Sequence, residues 1–112
     1  MPSSLKITNH KSSGRRALSA PEVVTNLAKL EGWKLTGDGE SVAIEKTFKF
    51  ANYYETMSFV NALAFIANRQ NHHPDLSVHF NCCQVRFKTH DVGGISVTDF
   101  ECATATDALL HE

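Results

Sequence analysis

Along this chain the spacing of the apolar residues switches repeatedly between a helical period and the alternation of a half-buried strand. Helical spacing begins after Ser19, after Asn52 and after Ser96, and each of these residues can cap a helix. Alternation follows Trp33 and Val42, and it returns in segments 77–81 and 83–89. The sequence therefore predicts an α+β fold in the order α-β-β-α-β-β-α, a four-stranded antiparallel sheet with helices packed on one face.

The same spacing predicts which side chains of two helices face the sheet. In the long middle helix, the residues at helical spacing are Met57, Val60, Leu63, Ala64 and Ala67, and Phe59 and Ile66 flank them. In the last helix, they are Val97, Phe100, Thr104 and Ala108. The second predicted strand has one irregular position, Lys46, where a charged residue interrupts the alternation.

Length and charge limit the chain to one domain and to few classes of partner. The 112 residues fit a single domain, predicted at residues 17–112, after a flexible tail at residues 1–16. A net charge of −1 disfavours nucleic acid as a partner, and no segment approaches the ~20 apolar residues of a membrane-spanning helix. We therefore expect a protein that binds neither nucleic acid nor membrane. The three cysteines form no disulfide framework, which favours a cytoplasmic location.

A proline closes the middle helix directly after two adjacent histidines. Pro74 cannot continue a helix and disfavours helical geometry at the residue before it, so the chain must turn nearby. Four histidines fall within nineteen residues, namely His72, His73, His79 and His90. Because an unperturbed imidazole titrates at ~6.5, such a cluster can both remove and deliver a proton near neutral pH.

Two other interpretations of this cluster remain open. In the first, the histidines are ordinary surface or hydrogen-bonded residues, and His79 fits this best because alternation places it on one face with Ser77. In the second they bind a metal, but the spacings His-x-His and His-x3-His are absent, so neither a metal nor another cofactor is predicted. Asp99, at the third position of the last helix, can be explained as a cap that complements the helix dipole.

One string of residues resembles the signature of the pterin-4a-carbinolamine dehydratase family. It runs His72-His73-Pro74, five residues, Phe80, nine residues, His90, eight residues, Asp99. The resemblance extends over roughly residues 19–110 and includes the Lys46-x-Phe48-x-Phe50 segment. The fold that it implies, a four-stranded antiparallel sheet carrying helices, agrees with the fold predicted from the spacing.

The resemblance implies a dehydratase, a hydro-lyase that converts 4a-hydroxytetrahydropterin into quinonoid dihydropterin and so recycles the cofactor of aromatic amino acid hydroxylases. It implies catalytic roles for His72, His73 and His90, with His72 and His90 as the acid–base pair and His73 orienting the pterin. The substrate-binding residues that it implies are Asn71, Phe80, Thr89, Asp91 and Asp99.

This chain also departs from the family pattern. Asn68 stands four residues before His72, where the family usually has an ionisable residue, and an amide cannot titrate. We therefore expect altered activity more readily than lost activity. The adjacent Cys82 and Cys83 have no role that the resemblance supplies.

The resemblance implies three kinds of partner: the small-molecule pterin, further copies of the chain in a homodimer or homotetramer, and a functional link to a hydroxylase. The exposed edges of so small a sheet favour self-association as well. The alternative function is a non-enzymatic dimerisation or binding module, the partner of a transcription factor or another protein, because family members also act in that way.

Overall fold

The computed structural model describes residues 16–110 and confirms the predicted order of elements. Of the predicted flexible tail, residues 1–15 lie outside this range. None of the described helices is long and apolar enough to cross a membrane. The elements are α1 (Ala20–Leu27), β1 (Lys34–Thr36), β2 (Ala43–Lys49), α2 (Tyr53–Gln70), β3 (Asp75–His79), β4 (Cys82–Phe87) and α3 (Val97–Ala108).

The four strands form one sheet, antiparallel throughout, in the order β1-β2-β4-β3. Its inward face packs against all three helices and contributes Ile44, Phe48, Cys83, Val85 and Phe87 to the core. Its outward face is polar, and there the Gln84 amide donates a hydrogen bond to Glu45 at 3.0 Å. The predicted arrangement, with helices on one face only, is confirmed.

The inward face of α2 is rotated from the predicted one. The buried residues are Thr56, Phe59, Leu63 and Ala67, whereas Ala64 is exposed. Thr56 can be buried because its hydroxyl lies 3.0 Å from the carbonyl oxygens of both Asn52 and Phe80. Apolar spacing predicted Leu63 and Ala67 correctly and missed Thr56, because Thr56 is a polar residue.

The predicted inward face of α3 is wrong apart from Phe100. Val97, Thr104 and Ala108 are exposed. As in α2, the prediction failed because it counted apolar residues alone. Hydroxyl and carboxylate groups that have hydrogen-bond partners can also be buried. The residues that α3 buries are Thr98, Asp99, Phe100, Cys102, Ala103 and Thr106.

The irregular Lys46 faces the helices, and it is paired there. Its ammonium donates to Asp107 at 2.9 Å and to the Glu31 carbonyl at 3.1 Å. Asp107 also accepts from the Trp33 indole at 3.0 Å. Gly32 has φ +87°, and a Cβ there would lie 2.9 Å from Cε of Lys46. Glycine therefore suits this position both for its backbone conformation and for the room that it leaves to the lysine side chain. The charged position thus connects the loop after α1 to the end of α3.

Candidate active site

The chain turns sharply at Asn71, directly after α2. Asn71 has φ 53° and ψ 41° and is the one non-glycine residue with positive φ between residues 16 and 110. Its N–H bonds to the carbonyl oxygen of Asn68 at 3.2 Å, and the His72 N–H bonds to that of Ala67 at 3.1 Å. These two bonds form a Schellman motif, in which asparagine is the commonest substitute for glycine. The motif turns His72 into the interior, while His73 stays exposed.

His72 is buried against a carboxylate. Its Nε2 lies 2.6 Å from Oδ1 of Asp99, and the two residues are 6% and 0% exposed. The imidazole stacks on Phe87 with an interplanar angle of 10° and ring centroids 6.1 Å apart. The contact with Asp99 at Nε2 and the stacking on Phe87 together fix the orientation of the ring.

The other oxygen of Asp99 accepts two further hydrogen bonds. The Thr89 hydroxyl donates to Oδ2 at 2.7 Å, and the Ser96 backbone N–H donates to it at 2.9 Å. The hydroxyls of Thr89 and Ser96 form a hydrogen bond with each other. Asp99 thus caps α3 as predicted and at the same time contacts His72. These four residues, His72, Thr89, Ser96 and Asp99, are all buried and are called the histidine–aspartate network below.

The two remaining predicted catalytic histidines are exposed and adjoin this network along the chain. His73 follows His72, and His90 follows Thr89. His90 begins a 3-10 turn that ends at Gly93, where φ is +64° and the N–H donates to the His90 carbonyl at 3.2 Å. All three histidines are thus members or direct chain neighbours of the network, although only the His72 imidazole is part of it.

The predicted substrate-binding residues divide into two groups. Asn71, Phe80 and Asp91 are exposed, whereas Thr89 and Asp99 are fully buried within the network. Phe80 lies in the turn between β3 and β4. His79 lies opposite Cys82 at the end of β3, on the polar outward face of the sheet.

Two members of the site were missed from the sequence. Ser96 carried a signal, because Ser96 and Asp99 match the capping pattern, yet this pattern gives no sign of a link to a histidine. Phe87 is one apolar position in an alternating strand, and nothing in the sequence separates it from the rest of the core. The cysteines gain no role: between residues 16 and 110 Cys82, Cys83 and Cys102 form no disulfide, and burial raises the pKa of the Cys83 thiol.

Two cavities lie elsewhere on the described surface. One of about 740 Å³ is bounded by Lys46, Asp107 and the loop after α1, and one of about 350 Å³ lies between α1 and residues 93–95. Neither is lined by a histidine. Among residues 16–110, no group of three or more His, Cys, Asp or Glu side chains is placed to hold a metal ion.

Comparisons with known proteins agree with the family resemblance. A family model described as pterin 4 alpha carbinolamine dehydratase matches residues 16–109. Two similar proteins bear the provisional name pterin-4-alpha-carbinolamine dehydratase. That of Paracidovorax citrulli is 71% identical over 96 residues, covering 86% of this chain and 83% of the relative. That of Chromobacterium violaceum is 48% identical over 98 residues, covering 88% and 87%.

Two solved structures share the fold. A transcriptional coactivator/pterin dehydratase from Brucella melitensis has a TM-score of 0.80 and 27% identity, covering 86% of this chain and all of that one. A pterin dehydratase-like protein, identified as a RuBisCO assembly factor in the alpha-carboxysome, has a TM-score of 0.60 and 22% identity. The second covers 70% of this chain and 89% of its own, and at that identity it supports the fold alone.

Proposed function

Because the chain belongs to the pterin-4a-carbinolamine dehydratase family, we propose that it dehydrates 4a-hydroxytetrahydropterin by histidine acid–base catalysis. In this reaction the bond from C4a to the hydroxyl oxygen breaks, N5 loses its proton, and a C4a=N5 double bond forms. One group must protonate the leaving hydroxyl and another must accept the N5 proton. The product is quinonoid dihydropterin, so the protein would recycle the cofactor of an aromatic amino acid hydroxylase.

The observation that carries this proposal is the 2.6 Å contact between His72 and Asp99. A carboxylate that accepts from one imidazole nitrogen orients the ring and leaves the other nitrogen for the substrate. We assign the acid–base steps to His72 and His90 and the orientation of the pterin to His73. Asn71, Phe80 and Asp91 are exposed and are assigned to contacts with the substrate.

The test is to supply 4a-hydroxytetrahydropterin to the purified protein and to follow formation of the quinonoid product by its absorbance. His72→Ala and His90→Ala should each lower kcat by about 10²-fold or more, the contribution of a general acid or base. His79→Ala is the matched control, because His79 lies on the outward face of the sheet, and it should keep the wild-type rate. A wild type no faster than His72→Ala would refute the proposal.

A second candidate function is a binding module that acts through self-association or a protein partner. The outward face of α2 supports it, because Tyr54 and Phe65 are 81% and 67% exposed. They are eleven residues apart, about three helical turns, and so share one face. The Brucella melitensis relative is itself described as a coactivator as well as a dehydratase.

The two candidates make different predictions for the purified protein. Sedimentation should show a homodimer or homotetramer if the exposed apolar residues pair between copies, and Phe65→Glu should lower the oligomeric state. Thr47→Glu, an exposed position on β2 outside α2, is the control and should not. A protein that is inert toward pterin and is recovered with a stoichiometric protein partner would favour the binding module over the dehydratase.

A further inference from the structure

Behind His72 the hydrogen bonds of the histidine–aspartate network have a fixed direction. The Thr89 hydroxyl gives its hydrogen to Oδ2 of Asp99 at 2.7 Å. A hydroxyl has only one hydrogen, so the bond between the Thr89 and Ser96 hydroxyls must take its hydrogen from Ser96. The chain of donors therefore runs from Ser96 to Thr89 and ends on the carboxylate of Asp99.

This direction bears on the tautomer of His72. Oδ2 of Asp99 already accepts from Thr89 and from the Ser96 N–H, so Oδ1 is the oxygen left for His72. A carboxylate can only accept, so the 2.6 Å contact with Oδ1 takes its hydrogen from Nε2 of His72. The lone pair of the neutral imidazole is consequently on Nδ1.

We infer that Thr89 and Ser96 are positioning residues, which hold His72 in its Nε2–H tautomer and make Nδ1 the nitrogen that exchanges a proton with the substrate. Thr89 is therefore reassigned from a substrate contact to a support of Asp99, because it is fully buried and its only hydrogen is used inside the network. The role in catalysis rests on the proposed function, whereas the tautomer does not.

Loss of the Thr89 hydroxyl removes one of the two donors to Oδ2. A hydrogen bond donated to a carboxylate helps to hold it in place as an acceptor, so loss of the Thr89 donor weakens the acceptor that keeps the hydrogen on Nε2. Exchange with solvent then moves this hydrogen from Nε2 to Nδ1, and in that tautomer Nδ1 cannot accept a proton. This change alters proton transfer and leaves the surface that the substrate meets unchanged.

The experiment is nitrogen NMR of the imidazoles in histidine-labelled protein without substrate. In the wild type, His72 should show protonated Nε2 and unprotonated Nδ1, and Thr89→Val should populate the opposite tautomer. Thr89→Ser should restore the wild-type spectrum. Thr106→Val is the matched control, because Thr106 is also fully buried and its hydroxyl donates to the Cys102 carbonyl, at 2.8 Å, outside the network. A wild type protonated on Nδ1, or no change in Thr89→Val, would overturn the inference.

Kinetics separate a positioning residue from a substrate contact. Thr89→Val should lower kcat by about tenfold, as expected for loss of one hydrogen bond to a charged group, with KM unchanged. A raised KM with normal kcat would make Thr89 a substrate contact and overturn the inference. Ser96→Ala keeps the backbone N–H that donates to Asp99, so it should lower kcat in the same way but by less. If Thr89→Val does not fold, Ser96→Ala decides between positioning and substrate contact. If the wild type proves inert toward pterin, the proposed function fails and the NMR result still decides the tautomer.

Discussion

His72 and Asp99 are 27 residues apart in the chain, and their side chains meet at 2.6 Å. The contact joins the residue that follows the C-terminal cap of α2 to the first turn of α3. Both ends are rigid, since one is a Schellman motif and the other a capped helix start. His73 and His90 adjoin this network along the chain, and their side chains are exposed, whereas His72 is buried.

Asp99→Asn should nearly abolish proton transfer while preserving the shape of the site. Thr89 and the Ser96 N–H both require an acceptor at Oδ2, so the amide would direct its NH₂ group toward Nε2 of His72. The ring would then be forced into its Nδ1–H tautomer. By analogy with the same change in a catalytic triad, we expect kcat to fall by about 10²–10⁴-fold. The control is Asp107→Asn, because the Asp107 carboxylate contacts Lys46 and Trp33 and not the network. The kcat of this variant should match that of the wild type.

Asn71 allows its backbone role to be separated from its proposed contact with substrate. Asn71→Val should lower the free energy of unfolding by about 1–2 kcal/mol, because a β-branched residue is strained at φ 53°. Asn71→Gly suits the left-handed conformation and should unfold near the wild-type denaturant concentration. If the amide contacts pterin, the glycine variant will be stable and will show a raised KM. Equal stability of the two variants would contradict the prediction.

Local signals predicted the elements and the turn at which the site forms. Pro74 limits where α2 can end, and the structure ends it at Gln70 with Asn71 as its cap. The alternation of β2 and β4 likewise predicted the faces of the sheet. These features depend on residues that are close together in the sequence, so the sequence alone is enough to predict them.

The parts that could not be predicted depend on partners that only the folded chain brings together. The carbonyl of Phe80 makes the burial of Thr56 possible, although the two residues are 24 positions apart. The fully buried Asp99 has partners on three segments, and no spacing rule identifies them as a set. The resemblance placed His72 and Asp99 in one site without showing that they touch, and Ser96 entered only through the geometry.

Lys46 and Asp107 should be energetically coupled. Their side chains are only 24% and 20% exposed, so solvent screens the 2.9 Å ion pair less than it screens a surface pair. In a double-mutant cycle with Lys46→Met and Asp107→Asn, measured by chemical denaturation, we expect a coupling of about 1 kcal/mol. Asparagine keeps an acceptor for the Trp33 indole, so the cycle isolates the ion pair. Additive effects within about 0.3 kcal/mol would show that the pair contributes nothing.

Glu22 should make stability depend on pH at the start of α1. The Arg16 guanidinium, at 2.9 and 2.7 Å, and then the Ser19 N–H, at 2.8 Å, lower the pKa of the Glu22 carboxyl from 4.5 to about 2. A carboxyl whose pKa is lower in the folded state binds its proton more readily when unfolded. Its contribution is therefore complete above pH 4.5 and is lost as the pH falls toward 2.

The comparison that tests this is wild type against Glu22→Gln in denaturant titrations between pH 7 and pH 2. The wild type should have the higher free energy of unfolding at neutral pH, and this difference should shrink below pH 4.5. At neutral pH the difference should also shrink when salt is added, because the Arg16 and Glu22 side chains are exposed. Glu40→Gln supplies the control, since Glu40 is an exposed carboxylate in the first turn of the 3-10 helix Gly39–Ser41. A difference between wild type and Glu22→Gln that persists unchanged at pH 2 would show that the contribution of Glu22 does not depend on its ionised carboxylate.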